Sequence, residues 1–366
     1  MTCQKPSPVA DCEDQADSGV EKYQRYIGRK FVFLLITGCL LVALTMYSVA
    51  VGAVDIPLDD VLATVFLGEE GLYKTIIWNI RLPRVLTGIV AGAALAMAGA
   101  VMQCVLRNPL ASPFTLGLSQ AAAFGASIGI VVLGAGVMQS SSTSGVIVSN
   151  PYIVTTCAFL GALIGTGIIV ALSALTRVSP EAMVLAGVAI GSMFGAGITA
   201  IQYFADSVQL SSIVFWTFGD LGKTTWTYGG IITLVTVPIM LYFLYNRWNY
   251  NAMEAGEETA KGLGVNVKQM RMVGMVLSSL LAAVVVAFMG IIGFVGLLAP
   301  HIVRRLIGSD YRFLIPGSAL VGGLILMGSD TVARTLIAPL VLPVGVLTSF
   351  LGGPLFIYLL IRGYRK

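Results

Sequence analysis

Chemistry in this chain would have to come from one histidine, an incomplete phosphate-loop signature and a sparse set of arginines. His301 is the single histidine, in GFVGLLAPHIVRRLIG (293–308), behind Pro300 and ahead of Arg304 and Arg305. Such a residue acts as an acid–base group, a metal ligand or a polar joint between packed helices. No cysteine, second histidine or carboxylate stands beside it to complete a metal set. Pro300 suits the first position of a helix, where its missing N–H costs nothing. His301 would then serve the open polar groups of that helix start. The reading is a structural joint, with a conformational or ligand role as the alternative.

GDLGKTT (219–225) carries the GKT of a phosphate-binding loop, but the first glycine of the full pattern is replaced by Thr217. No strand precedes it and an apolar stretch follows, so nucleotide binding is not expected there. ITGC, ending at Cys39, resembles a lipoprotein cleavage site, yet the apolar run continues past the cysteine as an uncleaved span would. Gly187, Gly191 and Gly195 form a GxxxGxxxG series. It fits close helix packing or a smooth wall beside a path for something bulky. Arg81 and Arg84 (RLPR) and Arg334 stand among few charges, with Asp330 one helical turn before Arg334 and able to pair with it. Such arginines either anchor at a membrane interface or grip carboxylates of a partner.

The elements that must position these groups follow from composition. The 366 residues are 57% hydrophobic and 11% charged, with mean hydropathy +0.88, against roughly 25% charged in a soluble domain. Long uncharged stretches recur where about 20 apolar residues suffice to cross a bilayer, which predicts an all-α polytopic membrane protein rather than a barrel. Division at Gly and Pro gives ten spans near 31–52, 85–106, 115–137, 152–175, 182–204, 226–245, 272–290, 294–307, 314–333 and 344–361. Most of the 22 Lys and Arg then fall on one side, and only Lys74, Arg81, Arg84, Lys223 and Arg334 fall on the other. The positive-inside rule puts both termini in the cytoplasm of a multi-pass cell-membrane protein. The net charge of +4 reflects this asymmetry, and no nucleic-acid partner is expected.

Residues 1–30 form a polar tail, expected to be disordered, holding Cys3 and Cys12. The transmembrane domain would occupy 31–366, with its longest cytoplasmic connection at 246–271. There Glu254, Glu257, Glu258 and Lys261 surround small residues, which predicts one short amphipathic helix ending in a glycine turn at GLG (262–264). It is either a solvated loop or a docking element for a soluble partner. The five cysteines show neither zinc spacing nor a disulfide framework.

Several blocks in order resemble the FecCD permeases, the transmembrane subunits of ABC importers for iron–siderophore complexes, haem and cobalamin. They are RLPRVLTGIVAGAALAMAGAVMQCVLRNPLASPFTLG (81–117), LAGVAIGS (185–192), GFVGLLAPHIVRRLIG (293–308), SDTVAR (329–334) and LPVGVLTSFLGGPLFIYLL (342–360). The resemblance runs from about residue 31 to the C-terminus. It implies a ten-helix subunit of the type II (vitamin B12 importer) architecture, paired as a homodimer around a central path. Two ABC ATPase subunits would use ATP and Mg, this subunit holding no cofactor and no metal and catalysing no reaction. An extracytoplasmic binding protein would deliver the cargo.

By the same resemblance, Arg81, Arg84 and Arg334 would dock glutamates of the binding protein. Glu254, Gly256, Glu257, Ala260, Gly262, Leu263 and Gly264 fall in the loop that couples to the ATPase. Asn108 and Leu110 of NPLA match an inner gate, Ser179 and Pro180 lie near a second gate loop, and Gly187, Gly191 and Gly195 would line the path. Which chelate is carried, siderophore, haem or cobalamin, is left open. An ion-coupled secondary transporter is the rival class. It would place carboxylates in mid-span, where this sequence has almost none.

Overall fold

A computed structural model describes residues 8–52, 54–67, 71, 73–135, 150–176, 180–338 and 340–363. Among them the chain consists of helices and the turns that join them, with no strand. The elements are α1 (Pro8–Ala50), α2 (Leu58–Leu62), α3 (Lys74–Ile76), α4 (Leu82–Val105), α5 (Leu118–Ser127), α6 (Pro151–Thr176), α7 (Pro180–Phe204) and α8 (Ser207–Thr217). They continue with α9 (Trp226–Tyr245), α10 (Arg247–Glu254), α11 (Glu257–Gly262), α12 (Val267–Met289), α13 (Val295–Ile307), α14 (Tyr311–Thr335) and α15 (Val344–Gly363).

The central helix is α4, with α9, α12, α13 and α14 packed around it. Ala91, Ala94, Ala96, Ala98 and Ala100 are all fully buried. Small residues admit backbone-to-backbone contact, which joins helices where lipid removes the hydrophobic drive between them. A Cβ at Gly92 would lie 2.4 Å from the Gly322 carbonyl oxygen, and one at Gly99 only 1.7 Å from that of Gly296. Neither position can take a larger residue without moving α14 or α13.

Seven segments are long and apolar enough to cross a membrane: Tyr23–Ala50, Lys74–Val105, Pro151–Ser173, Ala182–Phe204, Trp226–Tyr245, Val267–Met289 and Tyr311–Thr335. Each of the ten stretches expected as spans carries a helix, those at Leu118–Ser127 and Val295–Ile307 being the short ones. The 13 residues of α13 rise about 20 Å, less than a hydrocarbon core of about 30 Å. Five residues of non-helical backbone, 290–294, precede α13. Such a break is tolerated in a membrane only when protein encloses it, and Gly290 and Ile292 are buried.

Two expectations are corrected. Pro300 does not open a helix. It is the sixth residue of α13, which starts after Phe294 in a left-handed conformation (φ 65°). Proline at that point leaves the Gly296 carbonyl without its helical N–H donor, and the same carbonyl lies against Gly99 of α4. The coupling connection is two helices rather than one. Gly256, at φ +127°, breaks α10 from α11, and Glu257 and Glu258 then favour the new N-terminus. The helix α1 runs from Pro8 to Ala50. On its exposed face Arg25 bonds to Glu21 one turn away at 2.5 Å. Lys30, 1% exposed, lies 4.1 Å from the Tyr26 ring centre and 3.5 Å from Asp310. Cys3 lies outside the described residues.

Candidate functional site

Polar assemblies occupy both ends of α4, separated by 24 residues, about 36 Å of helix. At its N-terminal end stand the three arginines. Arg81 donates to the carbonyls of Val49 (2.5 Å), Ala50 (2.7 Å) and Val54. These are carbonyls at the end of α1 and in the turn beyond it, which lack helical donors. Arg84 clasps Asp330 through Nε (3.1 Å to each carboxylate oxygen) and Nη2 (2.7 Å). Arg334 bonds the same carboxylate at 3.1 Å, together with the Ser48 hydroxyl (2.6 Å) and the carbonyls of Ser48 and Val51. Asp330 is fully buried, and Arg81 and Arg334 are 6% and 8% exposed.

Two guanidiniums share the Asp330 carboxylate, and Asp220, 3.9 Å from Arg84, adds a second carboxylate to the cluster. A cavity of about 270 Å³ opens over Arg81, Arg84 and Arg334, walled by Val54, Ile80 and Val341. Such a cavity can admit a carboxylate side chain onto a fixed array of donors. The Asp330–Arg334 pair was legible as an i, i+4 spacing. The Arg84–Asp330 clasp, across 246 positions, and the part played by Ser48 were not.

At the other end of α4, α10 and α11 form a short protruding segment. Glu258, Gly262, Leu263 and Gly264 are exposed, Leu263 to 70%, whereas Ala260 is buried. Nothing lies within 4 Å of a Cβ added at Gly262 or Gly264. Lys261 donates to Glu258 at 2.8 Å. That bond holds the Glu258 carboxyl below its ordinary value and lifts the Lys261 ammonium. Beneath this segment the Asp310 carboxylate, which burial alone would push up, is held down to about 2 by bonds from Arg312 and Asn251. Asn251 of α10 also accepts from the Tyr311 N–H at 2.7 Å, fixing the segment to the start of α14.

The loop after α4 turns at Arg107, a non-glycine residue at φ 47°. Asn108 closes it, its side-chain oxygen accepting from the Leu110 N–H at 2.9 Å and its carbonyl from the Ala111 N–H. Gly187 and Gly191 are buried against the turn at 115–117, a Cβ on Gly187 falling 2.5 Å from the Thr115 carbonyl oxygen, while Gly195 has nothing within 4 Å. The glycine series therefore divides: two positions pack and the third faces open space.

The match that decides the family spans residues 40–362 and is to the FecCD transport family. The chain belongs to the FecCD family. This FecCD chain is 38% identical over 331 residues to the hemin transport system permease protein HmuU of Yersinia pestis, covering 90% of this chain and 94% of HmuU. It is 36% identical over 299 residues to the vitamin B12 import system permease protein BtuC of Vibrio cholerae, covering 82% and 86%. A Methanocaldococcus jannaschii protein classed as an ABC transporter permease is 53% identical over 347 residues, covering 94% and 99%. A solved metal-chelate type ABC transporter in an inward-facing conformation aligns with a TM-score of 0.76 at 28% identity, over 91% of this chain and 99% of that one.

Within the FecCD chain, Pro180 opens α7, and Ser179 lies outside the described residues. His301 is half-buried on α13, one turn ahead of Arg304 and Arg305. GDLGKTT is a helix-capping turn. Its Asp220 accepts from the Gly222 N–H at 2.7 Å, and Thr225 caps α9 by accepting from the Tyr228 N–H. The segment α8 went unanticipated, although its signature is in the sequence: Asp206 and Gln209 form a capping box.

Proposed function

We propose that this chain is the membrane-embedded permease subunit of an ATP-driven importer that passes a bulky metal chelate into the cytoplasm. The observation that carries the reading is the arrangement along α4, an arginine-floored cavity at one end and an exposed coupling segment beside a self-bonded loop at the other. The cavity faces outward and receives carboxylates of an extracytoplasmic binding protein. Glu258, Lys261, Gly262 and Leu263 meet an ATPase subunit, and two ATPases work on a homodimer of this chain. Ten crossings leave both termini in the cytoplasm.

The chain makes and breaks no covalent bond. ATP and Mg act in the partner subunits, and transport results because ATP favours one arrangement of the assembly over another. Asn108 and Leu110 serve the inner gate, and α7 presents Gly195 to the path. Haem, cobalamin and ferric siderophores share the bulk that such a path accommodates. Cells lacking the gene, given labelled cobalamin, haemin and ferric siderophore in parallel, should lose uptake of one cargo and regain it with the intact gene. Loss of none, in cells shown to possess no second system for each cargo, would overturn the reading.

A further inference from the structure

We infer that two polar arms running from the coupling segment grip the end of α4, and that they carry the segment's displacement to the loop 107–111. The inference rests on the proposed function above and assigns roles to Arg271, Arg304 and Tyr311 that membership of the family does not supply.

The first arm starts at Glu257, the first residue of α11, which pairs with Arg271 of α12. Arg271 Nε donates to the Val105 carbonyl at 3.0 Å. Val105 is the last residue of α4. The residue four positions on, which would donate to that carbonyl in a continuing helix, is Pro109 and has no N–H. The NPLA turn thus frees one acceptor at the helix end, and Arg271 takes it while holding a carboxylate of the coupling segment.

The second arm starts at Glu254, the last residue of α10. Its Oε2 lies 3.4 Å from the Tyr311 hydroxyl. That hydroxyl is also 3.4 Å from the Ala100 carbonyl and accepts from Arg304 Nη2 at 3.3 Å. Arg304 Nη1 reaches Gln103 of α4 at 3.1 Å. Tyr311 is fully buried and Gln103 is 3% exposed, whereas Glu254 is exposed, so this arm runs from the solvent-facing segment into the packed interior. Both carboxylates that flank Gly256 are therefore tied to the last two turns of α4 by separate routes, one through α12 and one through α13 and α14.

The chain just past α4 is suited to respond. Arg107 sits in the left-handed region, which a side chain disfavours. The turn after Arg107 is closed on itself by Asn108. A gripped helix end, one strained residue and a self-bonded loop make a lever with a defined pivot. Arg271 and Arg304 are positioning residues in this scheme and touch neither ATP nor cargo.

The test uses the whole transporter, this chain with its ATPase and binding protein, in sealed proteoliposomes. Uptake and ATP hydrolysis are read together. Arg271→Gln and Tyr311→Phe should each lower uptake per ATP at least tenfold while ATP turnover continues, and Arg271→Lys should restore part of it. The exchanged pair Glu257→Arg with Arg271→Glu reforms the ion pair without a donor for Val105, and its uptake per ATP should stay low. If Arg271→Gln fails to assemble, Tyr311→Phe, which leaves the ring in place, carries the test. Spin labels on Leu263→Cys and Leu110→Cys supply a second readout. Their ATP-dependent change in separation should be lost in Tyr311→Phe. Normal uptake per ATP in the variants, full recovery in the exchanged pair, or an unaltered distance change in Tyr311→Phe would overturn the inference. Absence of ATP-driven uptake in the unaltered transporter would instead overturn the proposed function.

Discussion

Asp330 is the residue on which the arginine end depends. It is fully buried and answers two guanidiniums at once. Breaking a buried ion pair by removing one partner costs about 3–5 kcal/mol, because the surviving charge stays desolvated. Asp330→Asn is expected to lose that order of stability, read as a fall in the thermal midpoint of the purified protein. Arg84→Glu is expected to weaken binding-protein docking at least tenfold in a direct titration. Unchanged affinity would remove the cavity from the docking proposal. Asp310 supplies a test with pH. Its carboxyl is held at about 2 against an ordinary value of 3.8, so the folded state binds its proton less readily than the unfolded state. The stabilisation it gives is fully present above about pH 4 and is lost as pH falls through 2. The stability gap between the unaltered protein and Asp310→Asn should stay level from pH 8 down to 4 and narrow below that. A gap that narrows between pH 8 and 5 would contradict the assignment.

At the scale of the element, glycines that pack can be told from glycines that face open space. Gly187→Ala puts a Cβ 2.5 Å from a backbone oxygen, and overpacking of that kind costs about 1–3 kcal/mol. Gly195→Leu and Gly262→Trp meet nothing within 4 Å of the new Cβ and should leave the stability of the isolated chain within about 0.5 kcal/mol. Both are nevertheless expected to cut uptake, Gly195→Leu by narrowing the path and Gly262→Trp by spoiling contact with the ATPase. Normal uptake in either variant would release that residue from its role.

The helices themselves were largely legible, because apolar length and the charges between runs report directly on burial in lipid. What escaped was set by contacts between distant segments. Pro300 reads as a helix start from local rules, yet Gly99 of α4 lets α13 carry its carbonyl-freeing proline in mid-helix. The break at Gly256 depends on a φ that glycine permits but does not announce. The clasp of Arg84 on Asp330 joins residues from opposite ends of the chain, which no spacing rule connects.

For the whole molecule, charge and shape are divided between two ends and joined by a helix buried along nearly all its length. A rigid axis of alanines and glycines transmits displacement without absorbing it, since close-packed interiors deform little. Among the described residues Asp330 is held by two arginines, and in the proposed importer the work comes from ATP in its partners. The most direct measurement is therefore uptake of the labelled chelate into proteoliposomes holding this chain and its ATPase, with binding protein outside and ATP sealed within. Uptake is expected to require ATP and the binding protein and to survive ionophores that collapse proton and sodium gradients. Uptake that proceeds without ATP and stops when those gradients are collapsed would contradict the account.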